Sequence, residues 1–135
     1  AWALGLPPAP RTRAPGCRRP LAIVGSPAAA AQAEHARKAG WRVVLAGPAE
    51  VPPLLDADGL LLTGGETAAR CLRAHGATGL ELLGEPLPRV GYGRLRGGPL
   101  AGMPVLLKAG SFGDAATLTR GLAWLTGLEA SAEGE

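Results

Sequence analysis

Three short stretches carry the residue types that anion chemistry needs: Val24-Gly25-Ser26, Thr63-Gly64-Gly65-Glu66-Thr67 and Lys108-Ala109-Gly110-Ser111-Phe112-Gly113-Asp114. Each follows an apolar run and precedes a helix-forming one, so each reads as a turn from a strand into a helix. Glycine in such a turn removes a side chain and lets backbone N–H groups approach a ligand closely. The helix that follows points its first unpaired N–H groups back into the turn, and its dipole favours negative charge there. Lys108 adds an ammonium group at a strand end. If the three strands run parallel, all three turns lie on one edge of the sheet, the edge at which open α/β sheets hold ligands. Three such turns together suit a polyanion such as the phosphates of a nucleotide.

Simpler roles account for some of the same residues. Ser26 before Pro27 is also a good helix start. Thr63 and Glu66 stand three apart, as in a capping box. Gly110 and Gly113 are also turn residues, and Ser111 with Asp114 suits a helix start. Lys108 fits a solvated strand-end lysine more often than a ligand group. His35 and His75 have no second His or carboxylate at metal-ligand spacing, so they read as surface residues and no metal site is expected. Cys71 reads as a small core residue. No G-x-x-x-x-G-K-[ST] is present, no G-x-G-x-x-G follows a strand and no G-x-S-x-G elbow occurs, which excludes the P-loop and leaves Rossmann and hydrolase sites without support.

The elements that must position these turns follow from pattern. Leu60-Leu61-Leu62 cannot alternate in and out, so that strand is covered on both faces. Strands are also expected at Leu21 to Val24, Trp41 to Ala46, Gly79 to Leu83 and Met103 to Lys108. Helices are expected at Ala28 to Ala39, from about Gly65 to Ala74, and at Ala115 to Thr126, where Leu118, Leu122 and Leu125 form one stripe. Gly40 and Gly76 stop the first two. Residues 84–102, rich in Gly and Pro, read as a hairpin or edge excursion. This order predicts an α/β fold with a mostly parallel sheet flanked by helices and a Gly/Pro-rich hairpin excursion.

The totals set bounds. A chain of 135 residues is one domain with short extensions. Residues 1–20 read as a Pro/Arg-rich linker or arm, 21–126 as the α/β domain and 127–135 as a frayed tail. The first residue is Ala and not Met, the opening residues are linker-like, and the chain reads as a fragment of something longer. Hydrophobic residues at 47% and charged residues at 19% exclude a disordered chain. Four of the 14 basic residues fall in residues 11–19, so the net charge of +3 is partly a property of the arm, and no nucleic-acid partner is expected. No apolar run reaches the ~18 residues of a membrane helix. Cys17 and Cys71 lack CxxC spacing, which favours a reduced, cytoplasmic chain over a disulfide scaffold.

Taken in order, Val24-Gly25-Ser26, Leu62 to Ala68, Pro88-Arg89-Val90-Gly91-Tyr92-Gly93 and Lys108 to Asp114 resemble the C-terminal nucleotide-binding domain of the four-carbon acid sugar kinases. The resemblance covers about residues 21–126. It implies an ATP-dependent kinase of threonate, erythronate or 3-oxo-tetronate type sugar acids, with Mg²⁺ accompanying the nucleotide. Matched motif by motif, it implies that Ser26, Gly64, Gly65, Glu66, Thr67 and Gly110 contact ATP, with Lys108 beside them. The partners it implies are an N-terminal substrate-binding domain of the same enzyme and a small sugar acid. Two departures stand out. Only 37 residues separate Ser26 from Gly64, fewer than is usual in the family, and Arg89 stands where the family tends to have glycine. Both favour an alternative: a shortened, non-catalytic relative that serves as a packing or regulatory module.

Overall fold

The structure is a computed structural model and describes residues 13–25, 29–47, 51, 53–54, 56–109 and 113–128. Its elements are β1 (Pro20–Val24), α1 (Ala30–Lys38), β2 (Arg42–Leu45), β3 (Gly59–Thr63), α2 (Gly65–Ala74), β4 (Gly79–Leu87), β5 (Val90–Arg96), β6 (Pro104–Lys108) and α3 (Thr117–Thr126). The six strands form one sheet in the order β2-β1-β3-β6-β5-β4. Strands β2, β1, β3 and β6 are parallel, while β5 and β4 are antiparallel to their neighbours.

The leucine run explains itself in this architecture. Every residue of β1 and β3 is buried. Ala22, Val24, Leu61 and Leu106 pack with Ala33 and Ala36 of α1 and with Leu118, Leu122 and Leu125 of α3. The alternate residues Leu21, Ile23, Leu60, Leu62 and Val105 pack with Ala68, Cys71 and Leu72 of α2. Helices therefore cover both faces, and a central strand has no solvent side on which to place polar residues. At the antiparallel end, Tyr92 of β5 meets Trp124 of α3 edge to face, with ring centroids 4.9 Å apart.

Helix α2 ends as its sequence predicts. Gly76 takes φ +88°, its N–H donates to Arg73 O, and the Ala77 N–H donates to Leu72 O. That pair of bonds is a Schellman stop, which needs the left-handed conformation that glycine adopts without penalty.

The structure departs from the sequence reading in five places. Helix α1 begins at Ala30 with Ala29 at its cap position, so it starts two residues later than the expected Ala28 and Ser26 does not immediately precede it. Thr63 is no capping residue: it ends β3, and Gly64 is the N-cap of α2, with no side-chain bond. Strand β4 runs on to Leu87 and pairs with β5, so the short strand and the hairpin are one unit. Pro86 is tolerated there because β4 is the sheet edge and needs no outward N–H. Helix α3 starts at Thr117, because the Asp114 carboxylate accepts from the Ala116 N–H and from the Thr117 hydroxyl. Finally, part of the expected arm is docked. Cys17 is buried, its N–H donates to Leu125 O, and the Arg18 and Arg19 N–H groups donate to the two carboxylate oxygens of Asp58.

Candidate functional site

The strands that lead into the three turns run parallel and end on one edge. Val24 pairs with Thr63, and Thr63 pairs with Lys108, so the last residues of β1, β3 and β6 stand side by side. With strands about 4.8 Å apart, the three ends span about 10 Å. The chain leaves β1 and β6 toward α1 and α3 on one face and leaves β3 toward α2 on the other. The direction of departure therefore switches at β3, and a crevice opens at such a point.

Helix α2 forms the middle of this edge. Gly64 holds φ +86° and ψ +106°, a backbone state that L side chains rarely adopt, and it turns the chain from strand to helix without an intervening loop. The Gly64 carbonyl accepts the Ala68 N–H at 2.9 Å, which starts the helical ladder. The N–H groups of Gly65, Glu66 and Thr67 precede that ladder, and among the described residues no side chain caps this end of the helix. Gly65 has a β-carbon position open to solvent, and Glu66 is exposed beside it. The Glu66 carboxylate interacts favourably with the helix dipole.

Thr67 is 6% exposed and lies against the end of β1. A β-carbon built on Gly25 would come within 2.7 Å of Thr67 Cγ2 and closer still to its Cβ and hydroxyl. The Gly25 N–H donates to the Thr63 hydroxyl at 3.3 Å and to the Thr63 carbonyl at 3.2 Å. Gly25, Thr63 and Thr67 thus lock the ends of β1 and β3 to the first turn of α2.

Lys108 is not the solvated strand-end residue that its position suggests. It is 4% exposed, and its ammonium group donates to Ala109 O at 2.7 Å. Burial pushes its pKa below the usual lysine value. Beside it, a pocket of about 270 Å³ opens between α2 and β6, walled by Leu62, Leu72, Leu107, Ala68 and Ala69 and reaching Gly64, Gly65 and Lys108.

Of the residues singled out from sequence, Gly64, Gly65, Glu66, Thr67 and Lys108 come together on this edge. Ser26 and Gly110 lie outside the described residues; their neighbours Gly25 and Ala109 are on the same edge. Two participants carry too little signal in the sequence. Thr63 has the spacing of a capping residue, and its true partner, Gly25, lies 38 positions away. Arg89 belongs to the turn joining β4 to β5, and because Val90 pairs with Lys108 that turn sits on the same edge. Arg89 itself takes φ +60° and is exposed, so the hairpin closes with arginine in a left-handed position. His35 is exposed and hydrogen-bonded to the Thr119 hydroxyl at 2.8 Å, and Cys17 and Cys71 are buried free thiols.

Residues 25–118 match the nucleotide-binding C-terminal domain family. The chain belongs to this family, the nucleotide-binding domain of the four-carbon acid sugar kinases. A D-threonate kinase of Bordetella bronchiseptica is 44% identical over 64 residues, which are 47% of this chain and 16% of that protein. Two crystal forms of a domain of unknown function from the same organism, both domain-swapped dimers with bound citrate, share the fold. Their TM-scores are 0.68 and 0.66, at 27% and 25% identity. The alignments cover 80% and 82% of this chain but 39% and 42% of those chains. This nucleotide-binding domain thus spans less than half the length of the relatives it matches. Among its described residues no helix is long and apolar enough to cross a membrane.

Proposed function

We propose that this chain is the ATP-binding C-terminal portion of a kinase that phosphorylates four-carbon acid sugars of the threonate, erythronate or 3-oxo-tetronate type. One observation carries the reading: the ends of β1, β3 and β6 stand in register beside a helix N-terminus that no side chain among the described residues caps. Such an edge offers convergent backbone donors to phosphate oxygens. The likeness to a D-threonate kinase supports the substrate class.

In this reading the α2 amides grip the nucleotide phosphates, together with the β1 and β6 turns that contain Ser26 and Gly110. Phosphoryl transfer depends chiefly on positioning and on charge stabilisation. The domain's task is to hold the γ-phosphoryl group in line with a hydroxyl supplied by an N-terminal substrate-binding domain. Glu66 and Thr67 lie in the turn that orients the phosphates, and Lys108 braces the β6 turn through Ala109. Among the described residues no three His, Cys, Asp or Glu side chains converge on a metal. Mg²⁺ needs only one or two carboxylates besides phosphate oxygens, a set that Glu66 and a bound nucleotide would supply together. When bound, the cation neutralises charge on the β- and γ-phosphates. Two buried free thiols suit a reducing, cytoplasmic setting.

Calorimetry and thermal unfolding with Mg-ATP test the reading. The expected result is saturable binding and a rise in melting temperature, with no phosphate transferred to D-threonate by this chain alone. A folded chain whose melting temperature ignores Mg-ATP would support the alternative, a shortened relative that packs or regulates. That alternative draws on the brief connection from β1 to β3, in which α1 is the one helix among the described residues.

A further inference from the structure

At the other end of the sheet, where β1 and β2 begin, Arg18, Arg19, Pro20, Gly40, Trp41 and Arg42 line a second pocket of about 250 Å³. Leu21 pairs with Arg42, which brings the segment before β1 beside the start of β2. The length of β1, about 15 Å, separates this pocket from the turns at the opposite edge.

The ionisable residues of the lining are all arginine. The Asp58 carboxylate reaches this end of the sheet, but it accepts from the Arg18 and Arg19 backbone N–H groups at 2.7 and 2.9 Å. Among the described residues no carboxylate pairs with the guanidinium of Arg18 or Arg19, and both residues are exposed. Arg42 Nη2 donates to the Arg19 carbonyl at 3.0 Å, which holds a third guanidinium against the same segment. Arg37 and Lys38 in the last turn of α1 offset the partial negative charge of that helix end. Like charges gathered in this way repel until a counter-charge sits among them. The guanidinium fork matches the paired oxygens of a phosphate or carboxylate. Trp41, half-buried and packed against the core, adds an apolar wall.

We propose that this pocket is a second binding site, for a small anion of phosphate-monoester or polycarboxylate type, and that the bound anion staples Arg18 and Arg19 to the start of β2. The proposal does not depend on the nucleotide reading, because the two sites lie at opposite edges of the sheet. A compact anion is favoured over an extended polyanion, since the lining is concave and confined to residues 18–20 and 40–42, whereas a nucleic acid needs a stripe of charge. The indole wall favours an anionic group carried on a small apolar body.

Calorimetric titration of the 135-residue chain with phenyl phosphate, inorganic phosphate and tricarballylate tests this. Saturable binding of phenyl phosphate or tricarballylate is expected, and the tighter of the two identifies the anion class. Arg18→Gln, Arg19→Gln and Arg42→Gln are each expected to weaken it roughly threefold to tenfold. Gly65→Ala, at the opposite edge, is expected to leave it unchanged. Phenyl phosphate is expected to bind roughly threefold or more tightly than inorganic phosphate, with a change in tryptophan fluorescence that Trp41→Phe removes.

Failure of both small anions to bind, or equal binding by the wild-type chain and all three arginine variants, would overturn the assignment. Loss of binding in Gly65→Ala alone would send the anion to the α2 edge and overturn it too. A short DNA duplex that binds more tightly than either small anion would replace the small ligand with a nucleic acid. Arg18→Gln and Arg19→Gln alter exposed side chains, so the test stands even if Arg42→Gln, which also loses the bond to the Arg19 carbonyl, fails to fold.

Discussion

Thr67 fills the space that a side chain on Gly25 would need. The two residues belong to different strand-to-helix units, yet a β-carbon on Gly25 would overlap Thr67 at three of its atoms. This contact sets how closely the first turn of α2 approaches the end of β1. Gly25→Ala must push α2 away or distort β1, and overpacking of this kind costs about 1–3 kcal/mol. The variant is expected to lower the chemical-denaturation midpoint and to weaken nucleotide binding. Adding Thr67→Ala removes the hydroxyl and methyl groups from the clash, so the double variant is expected to recover part of both losses. A double-mutant cycle measured by denaturation and calorimetry would reveal the coupling.

Gly65 separates stability from binding. Its β-carbon position is open, and it is the first residue of α2. Gly65→Ala therefore introduces no clash and reduces the entropy of the unfolded chain, for an expected gain of about 0.4–1 kcal/mol. The same methyl group stands where a phosphate would approach the backbone. Nucleotide affinity is expected to fall while the melting temperature rises. Loss of both would point to a purely structural glycine, and loss of neither would remove the α2 N-terminus from the site.

The particular residues show why part of this is legible in the sequence. Leu60-Leu61-Leu62 marks a doubly covered strand because no face remains for polar residues, and Gly64-Gly65 marks the turn because φ +86° suits glycine. Local patterns of this kind fix elements. They do not fix the neighbours of an element. The pairing of Gly25 with Thr63, the burial of Lys108 and the place of Arg89 all depend on strand order, which sets residues far apart in the chain side by side. Strand β4 reads short from its sequence because Gly84 and Pro86 weaken strands in general. An edge strand tolerates both, but nothing local marks β4 as an edge.

Arg89 distinguishes two views of the hairpin. An arginine that obstructs the site makes Arg89→Gly bind nucleotide more tightly. An arginine that adds positive charge to the edge makes it bind more weakly, and the paired strands favour this second outcome, since the turn lies one strand beyond Lys108. The expected loss is about twofold to fivefold at low salt, shrinking as screening increases. Stability is expected to hold or rise by up to about 1 kcal/mol, because φ +60° suits glycine better than arginine. Arg89→Val, β-branched in the same left-handed position, is expected to lower stability by about 1 kcal/mol or more. Titration at two salt concentrations and denaturant melts read both effects.

Lys108 gives the fold a pH dependence whose sign can be worked out. Burial disfavours the ammonium, so the folded-state pKa lies below the ordinary value of 10.5. Between the folded and unfolded values the unfolded chain binds more protons, and stability then rises with pH. The cost of burying the charge is thus fully present below the folded pKa and is relieved as pH climbs toward 10.5. Lys108→Met has no such group. The difference in unfolding free energy, wild type minus variant, is therefore expected to increase with pH across that window. Cys17, whose thiol burial pushes up to about 11, and Tyr92, also raised by burial, act in the opposite sense. Both are present in the two proteins and cancel in the difference. Denaturation of the pair at a series of pH values measures it directly. A difference that stays flat would mean that the Lys108 ammonium is as well solvated or paired in the folded chain as in the unfolded one, and that burial does not set its protonation.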